Sequence, residues 1–158
     1  MKPHMSDREI AFFDSFFSRR MTVFEWGAGG STVRWAPETK RWISVEHDDQ
    51  WRDKVLAQNL PGSCTVLAVD LDDPEYPRIP HRFGMSKIDV FLIDGRRRME
   101  CRTFLEEEML PGSLLLVHDA IRYEPSGRFG WWFDVVPGLK KGNHKGVRIY
   151  GKFEKQDV

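Results

Sequence analysis

Short apolar and β-branched segments alternate along this chain with segments of helical periodicity, and this alternation restricts the possible folds most strongly. Five segments predict strands: Met21–Trp26, Arg41–Glu46, Ser63–Val69, Ile88–Ile93 and Ser113–Val117. Strands that alternate with helices form parallel sheets with right-handed crossovers and helices on both faces. The chain is therefore predicted to have an α/β fold, with a doubly wound, mostly parallel sheet.

Helical patterns account for most of the connections between these strands. They predict helices over Asp7–Arg20, Thr32–Ala36 and Arg97–Leu110, and another that starts at Asp48 or Asp49 and stops before Pro61. The stretch from Asp70 to Lys87 contains three prolines and no periodicity, which predicts a long loop. Two weaker strand candidates, Trp132–Val136 and Val147–Phe153, predict an antiparallel C-terminal hairpin at one edge of the sheet.

Length and charge limit the class of protein. The 158 residues suit a single domain over 1–158, with a helical lead-in at 6–20, a core at 21–119 and C-terminal edge strands at 131–153. Basic and acidic residues number 24 each, so no excess charge favours nucleic acid or membrane as a partner. Cys64 and Cys101 are expected to be reduced core thiols, and no signal core is present, so we expect a cytoplasmic protein. A homo-oligomer is compatible with the sequence.

Each of the five predicted strands ends at an acidic residue or meets one immediately. The residues are Glu25, Glu46, Asp70, Asp94 and the pair His118-Asp119. The carboxyl ends of parallel strands lie along one edge of an open sheet, where ligands bind at the point of strand-order reversal. The sequence therefore predicts a ligand site lined by carboxylates at this edge.

A glycine loop follows the first predicted strand. Gly27 and Gly29 permit positive φ and close backbone approach to a ligand, and Ser31 or Thr32 can cap the short helix beyond. The dinucleotide pattern GxGxxG is incomplete, because Thr32 stands where its third glycine would be. Glu46 comes 17 residues after Gly29, a position that suits a carboxylate binding both hydroxyls of a ribose.

Together, Glu25-x-Gly27-x-Gly29, Glu46, Asp70 and Ile93-Asp94-Gly95 resemble class I S-adenosylmethionine-dependent methyltransferases, which have a Rossmann-like fold. The segments Phe91–Arg96 and Leu114–Ala120 look closest to small bacterial O-methyltransferases whose fifth strand ends in His-Asp. The resemblance implies S-adenosylmethionine (SAM) as cofactor. It implies a role in cofactor binding for these residues: Glu25, Gly27, Gly29, Ser31 and Thr32 at the methionine portion, Glu46 at the ribose, Asp70 and Leu71 at the adenine, and Asp94 with no portion assigned.

Transfer of a methyl group to a hydroxyl also requires a base near the methyl. His118 is the first candidate, with Asp94 or Asp119 as an orienting partner or as a ligand to a divalent cation. Arginines after Asp94 place positive charge at a helix start, against the helix dipole, which favours a role in binding an acidic acceptor. The predicted substrate-binding residues are Arg96, Arg97 and Arg122.

These features predict O-methylation of a hydroxyl on a small molecule or glycan, in which the acceptor is acidic. Two alternatives remain open at this point. One is an NAD-dependent oxidoreductase on a similar sheet, which the incomplete glycine pattern disfavours. The other is a non-catalytic cofactor-binding module, because the segments between the third and fourth strands and after the fifth look truncated.

Overall fold

A computed structural model describes residues 1–139 and 146–154. Seven strands form one sheet in the order β3-β2-β1-β4-β5-β7-β6. Their bounds are β1 Thr22–Trp26, β2 Arg41–Glu46, β3 Cys64–Ala68, β4 Val90–Ile93, β5 Leu114–His118, β6 Trp131–Asp134 and β7 Val147–Gly151. Strands β1 to β5 are parallel, and β7 runs antiparallel to both β5 and β6. The predicted α/β fold and its antiparallel edge are confirmed.

Three of the four α-helices are shorter than the sequence pattern predicts, and the second begins two residues earlier. They are α1 Asp7–Phe16, α2 Gly30–Trp35, α3 Asp49–Leu56 and α4 Arg98–Glu108. Helix α1 ends four residues before the predicted Arg20, because Phe17 already has extended backbone angles. At the end of α3, Leu56 is 47% exposed while Val55 is fully buried.

The segment predicted as a long loop contains 3₁₀ turns, so that prediction was wrong. Tyr76–Phe83 and Met85–Lys87 are 3₁₀-helical, and Tyr76 and Ile79 are buried against the sheet. The indole Nε1 of Trp26 donates a hydrogen bond to the Tyr76 carbonyl at 3.1 Å. Prolines remove backbone donors but fit short 3₁₀ turns, and tertiary packing supplies the order that periodicity does not reveal.

Apolar side chains cover both faces of the sheet. One core contains Trp26, Phe91 and Leu105 from β1, β4 and α4. The other contains Phe13 from α1 and Trp42 from β2. Burial on both faces explains why β4 is a continuous apolar run, and why all residues of β1 and all but the first of β2 are buried instead of alternating.

The strand order reverses between β1 and β4. The chain runs outward from β1 to β2 and β3, and then returns to place β4 on the other side of β1. In open α/β sheets this reversal opens a crevice beyond the carboxyl ends of the two central strands. The glycine loop after β1 and the turn after β4 therefore meet at one place.

Both cysteines are free thiols in the described structure. Cys64 lies half-buried in β3, and Cys101 is buried in α4, as predicted. Among the helices of residues 1–139 and 146–154, none has the length and apolar character needed to cross a bilayer.

Candidate functional site

A cleft of about 770 Å³ lies at the reversal point, beyond the carboxyl ends of β1, β2 and β4. It brings together eight of the residues predicted to form the site: Gly27, Gly29, Ser31, Glu46, Asp94, Arg96, Arg97 and Arg122. Glu46 and Asp94 thus face one shared space, although β1 separates their strands.

The remaining predicted residues do not line this cleft. They are Glu25, Thr32, Asp70, Leu71, His118 and Asp119. Asp70 is exposed and accepts a hydrogen bond from its own turn, at the Asp72 amide, at 2.8 Å. Leu71 packs against the core. Neither residue lines the cleft, and their role at the adenine stays a prediction.

Glu25 lies fully buried beneath the glycine loop instead of facing a ligand. Its carboxylate accepts hydrogen bonds from the Thr32 and Ser44 hydroxyls, both at 2.6 Å, from Trp42 Nε1 at 2.9 Å, and from the Ser31 hydroxyl. Two of these donors belong to α2, which begins at the loop. Glu25 therefore holds the loop in place from below and does not contact the cleft.

Burial raises the pKa of Glu25 from 4.5 to about 7, and the four donors offset only part of that rise. Because the folded carboxyl binds its proton more tightly than the unfolded one, this group's stabilisation is complete below about pH 4.5. It is lost as the pH rises through about 7.

We expect Glu25→Gln to flatten the fall in the free energy of unfolding across this range, measured by urea denaturation at several pH values. The control variant Glu38→Gln changes an exposed acid and should keep the wild-type dependence of the unfolding free energy on pH. The same dependence in the wild type and both variants would contradict the raised pKa of Glu25.

The glycine loop presents backbone to the cleft. Gly27 has φ +92°, and a Cβ there would lie 2.5 Å from Gly95 Cα, so only glycine fits between the two turns. A Cβ at Gly29 would meet nothing nearer than the Trp51 ring at 4.0 Å. The Gly29 amide donates to the Thr32 hydroxyl at 2.9 Å, which connects the loop to Glu25. The loop is thus held by hydrogen bonds on the side of Glu25 and is open on the side of the cleft.

Glu46 lines the cleft and is held through one of its carboxylate oxygens. Its Oε1 accepts hydrogen bonds from the amides of His47 at 2.9 Å and Asp48 at 3.0 Å, and His47 Nδ1 lies 3.0 Å away. Within the described part of the chain, Oε2 makes no hydrogen bond. A carboxylate anchored on one side and available on the other fits the recognition of vicinal hydroxyls such as those of ribose.

Trp51 is a site residue that was not among those predicted from the sequence. It is 39% exposed, lines the cleft, and donates from Nε1 to the Ala28 carbonyl at 2.7 Å. One sequence feature could have indicated this role, because Trp51 lies in the first turn of α3, the helix that follows Glu46. The hydrogen bond holds an aromatic ring at the cleft beside the glycine loop.

His118 is buried at the end of β5, behind Asp94. Its Nδ1 lies 2.7 Å from Asp94 Oδ1 and 3.9 Å from Asp119 Oδ2, and its Nε2 lies 2.8 Å from the His4 carbonyl. Burial acts to lower the pKa of His118, but Asp94, Asp119 and the His4 carbonyl outweigh it and raise that pKa above its usual value. Both ring nitrogens face oxygen acceptors, so this arrangement favours a doubly protonated ring that donates on both sides. The geometry does not offer the base predicted from the sequence.

The first five residues of the chain extend over the same cleft. Met1, Lys2 and His4 line it, and the Lys2 carbonyl packs so closely on Gly30 that no side chain fits there. Behind them, Glu9 of α1 accepts a hydrogen bond from the Val147 amide of β7 at 2.8 Å. This contact fixes α1 to the sheet and so places the N-terminal residues at the site, which no local pattern indicated.

The arginines that begin α4 have different partners. Arg97 donates to the carbonyls of Leu71 and Asp73, both at 2.8 Å, and pairs with Glu100. Within residues 1–139 and 146–154, no ion pair or side-chain hydrogen bond involves Arg96, which is exposed and lines the cleft. Arg96 is thus the better placed of the two for an acceptor.

Arg98 joins the ends of two central strands. It donates to the carbonyls of His118 at 2.6 Å, Gly95 at 2.9 Å and Asp94 at 3.1 Å. Arg122, which also lines the cleft, lies 3.9 Å from Asp119 Oδ2. The positive charge at the start of α4 is therefore explained by the contacts of Arg97 and Arg98 with carbonyls outside the helix.

No group of three or more His, Cys, Asp or Glu side chains within the described ranges is arranged to hold a metal ion. The divalent cation considered from the sequence has no ligand set among those residues.

A scan against protein-family models finds no match, and a search of curated proteins finds none either. Solved structures do resemble the chain. A methyltransferase-like protein from Silicibacter pomeroyi matches with a TM-score of 0.66 and 19% identity over 99% of this chain and 91% of its own. A candidate methyltransferase from Streptococcus mutans was solved in complex with S-adenosylhomocysteine (SAH), the product that SAM leaves after methyl transfer. It matches with a TM-score of 0.63 and 11% identity over 94% of this chain and 100% of its own.

A third similar structure is a precorrin 8W decarboxylase from Methanobacterium thermoautotrophicum, with a TM-score of 0.61 and 14% identity over 97% of this chain and 92% of its own. At these identities the similarity establishes the fold. The chain therefore has the single-domain, Rossmann-like fold found in SAM-dependent methyltransferases.

Proposed function

We propose that the protein is a SAM-dependent methyltransferase. The observation that carries this proposal is the shared cleft at the reversal point, in which the open backbone of Gly29 and the available oxygen of Glu46 face the same space. Both features match the chemistry of an adenosyl cofactor, which carries a ribose diol and a cationic methionine portion. The fold similarity, including a structure that contains SAH, supports the same assignment.

The residues present fit this cofactor. The backbone of Gly27 and Gly29 would hold the methionine portion, and Glu46 the ribose hydroxyls. The exposed face of Trp51 offers a stacking surface for the adenine. When bound, SAM supplies a methyl group on a sulfonium that is its own leaving group, so the protein mainly has to align the acceptor.

For the acceptor, we propose an acidic molecule that carries a hydroxyl. The hydroxyl loses its proton as it is methylated, and Asp94, one of the carboxylates that line the cleft, would take that proton. His118 and Arg98 would then act as positioning residues, since they contact Asp94 from behind and from the side. Arg96, which is exposed and forms no ion pair in the described structure, supplies a guanidinium for a carboxylate or phosphate on the acceptor.

Titration calorimetry with SAH and with NAD tests the cofactor assignment. We expect saturable binding of SAH and none of NAD, and the reverse result would favour the oxidoreductase. Transfer of labelled methyl from SAM to matched acidic and neutral hydroxyl compounds tests the reaction. Binding of SAH without transfer to any compound of the panel would favour the non-catalytic module.

Replacement of His118 by glutamine tests the positioning role. We expect turnover to fall by about tenfold, while the acidic limb of the pH–rate profile, the loss of rate as the pH is lowered, remains, because the proton acceptor Asp94 is retained. Asp94→Asn should lower turnover by about 10²-fold or more and remove that limb. If His118→Gln alone removes the limb and leaves SAH affinity unchanged, His118 is the base.

A further inference from the structure

A second cleft, of about 650 Å³, lies at the opposite end of the sheet. It is formed by the residues that precede or begin the first four parallel strands, so the strands themselves separate it from the cofactor cleft. Nothing in the proposed methyl transfer uses it.

Four cationic side chains line this second cleft: Arg20, Lys40, Arg41 and Lys87. All four are exposed, and none takes part in an ion pair or side-chain hydrogen bond with any residue in the described portion of the chain. The chain as a whole has 24 basic and 24 acidic residues, so this local excess is not a consequence of composition. Unpaired cations that converge on a concavity raise the local concentration of anions.

Among the described residues that line the second cleft, Asp89 carries the one carboxylate, and this group already accepts a backbone hydrogen bond. Asp89 Oδ2 accepts the Thr22 amide at 2.7 Å, and the Asp89 amide donates to the Thr22 carbonyl at 2.9 Å. Asp89 therefore joins the segment before β4 to the start of β1 by two hydrogen bonds. In the described part of the chain, it forms no ion pair with the cations that line the cleft. Three positive charges remain in excess in this cleft.

The floor and walls suit a small organic phosphate. The Arg41 guanidinium lies over the Phe83 ring, 5.3 Å from its centroid, which orients its planar donors without using them. Ser63 and Thr65 add hydroxyls. A cavity of this size falls in the range of small-molecule sites, whereas extended nucleic acid is bound along grooves.

From these contacts we propose that the second cleft binds a phosphate-bearing small molecule, with Lys40 and Arg41 as the main phosphate ligands. Phosphate monoesters carry up to two negative charges and three acceptor oxygens, which match a guanidinium, ammonium groups and hydroxyls. The site is independent of the methyltransferase assignment, since its residues and its ligand differ.

The test uses the full chain, isotope-labelled, in an NMR titration with pyrophosphate and with glucose 6-phosphate. We expect saturable shifts at the amides of Thr22, Arg41 and Thr65, with the amides of the glycine loop unmoved. Lys40→Ala/Arg41→Ala should weaken binding by about tenfold or more, because two charge-assisted contacts are lost. Lys87→Glu provides a second variant, and circular dichroism checks that each remains folded.

The matched control is Arg8→Ala/Arg78→Ala, which removes the same charge from exposed positions outside both clefts. It should change the affinity by less than about twofold. Equal weakening by both double variants, absence of saturation, or shifts confined to the glycine loop would overturn the proposal. Tighter binding of a short single-stranded RNA than of pyrophosphate would also overturn it, in favour of a nucleic-acid surface.

Discussion

Replacement of Glu46 by glutamine is expected to weaken SAH binding by about a hundredfold while the protein stays folded. The amides of His47 and Asp48 both donate to Oε1, so the glutamine carbonyl would take that position and turn its NH₂ group toward the cleft. A donor would then replace the acceptor that two ribose hydroxyls require. Loss of two charge-assisted hydrogen bonds, each worth about 1.5 kcal/mol, corresponds to about a hundredfold in affinity.

Titration calorimetry of the Glu46→Gln variant with SAH provides the measurement. Glu38→Gln is a matched control, because Glu38 is an exposed acid outside the cleft. The thermal unfolding midpoint should change little in either variant. Unchanged affinity in Glu46→Gln would show that the ribose is bound elsewhere and would remove the main support for the cofactor assignment.

Replacement of Gly27 by alanine is expected to lower the free energy of unfolding by about 3 kcal/mol. The residue has φ +92°, and the added Cβ would lie 2.5 Å from Gly95 Cα and 2.6 Å from Gly95 N. Both neighbours are backbone atoms, so rotation of a side chain cannot relieve the contact. The turn after Asp94 would have to move, and SAH affinity should fall with stability.

Urea denaturation measures this effect. Gly62→Ala is a suitable control, because Gly62 does not have positive φ and a Cβ there would meet nothing within 4 Å. We expect that variant to change the free energy of unfolding by no more than about 0.5 kcal/mol. Similar stability of the two variants would mean that the two turns are not held as closely as described.

Much of the fold was predictable because it depends on local patterns. All seven strands were located within two residues at each end, since their apolar runs are bounded by glycine, proline and charged residues. Parallel strands end at one edge, so the meeting of Glu46 and Asp94 also followed from their positions after β2 and β4. The 3₁₀ turns over Tyr76–Phe83 were missed because their order comes from burial rather than periodicity.

The direction of individual side chains was less predictable. Every residue of β1 is buried, so no alternation shows whether Glu25 faces the cleft or the layer beneath it. Its four donors come from α2 and β2, and their convergence is a property of packing. The same holds for Arg97 and Arg98, whose carbonyl partners lie in other segments of the chain.

The sequence by itself determined the layered α/β architecture. It also determined the edge of the sheet at which acidic residues and the glycine loop would gather, because strand segments and the turns that end them are local patterns. The tertiary structure alone decided which of those residues face the cleft. His118 shows why: its Nε2 meets the carbonyl of His4, 114 residues earlier, and its Nδ1 meets Asp94. Whether such a ring accepts or donates a proton depends on contacts between distant segments, which exist only after the chain has folded.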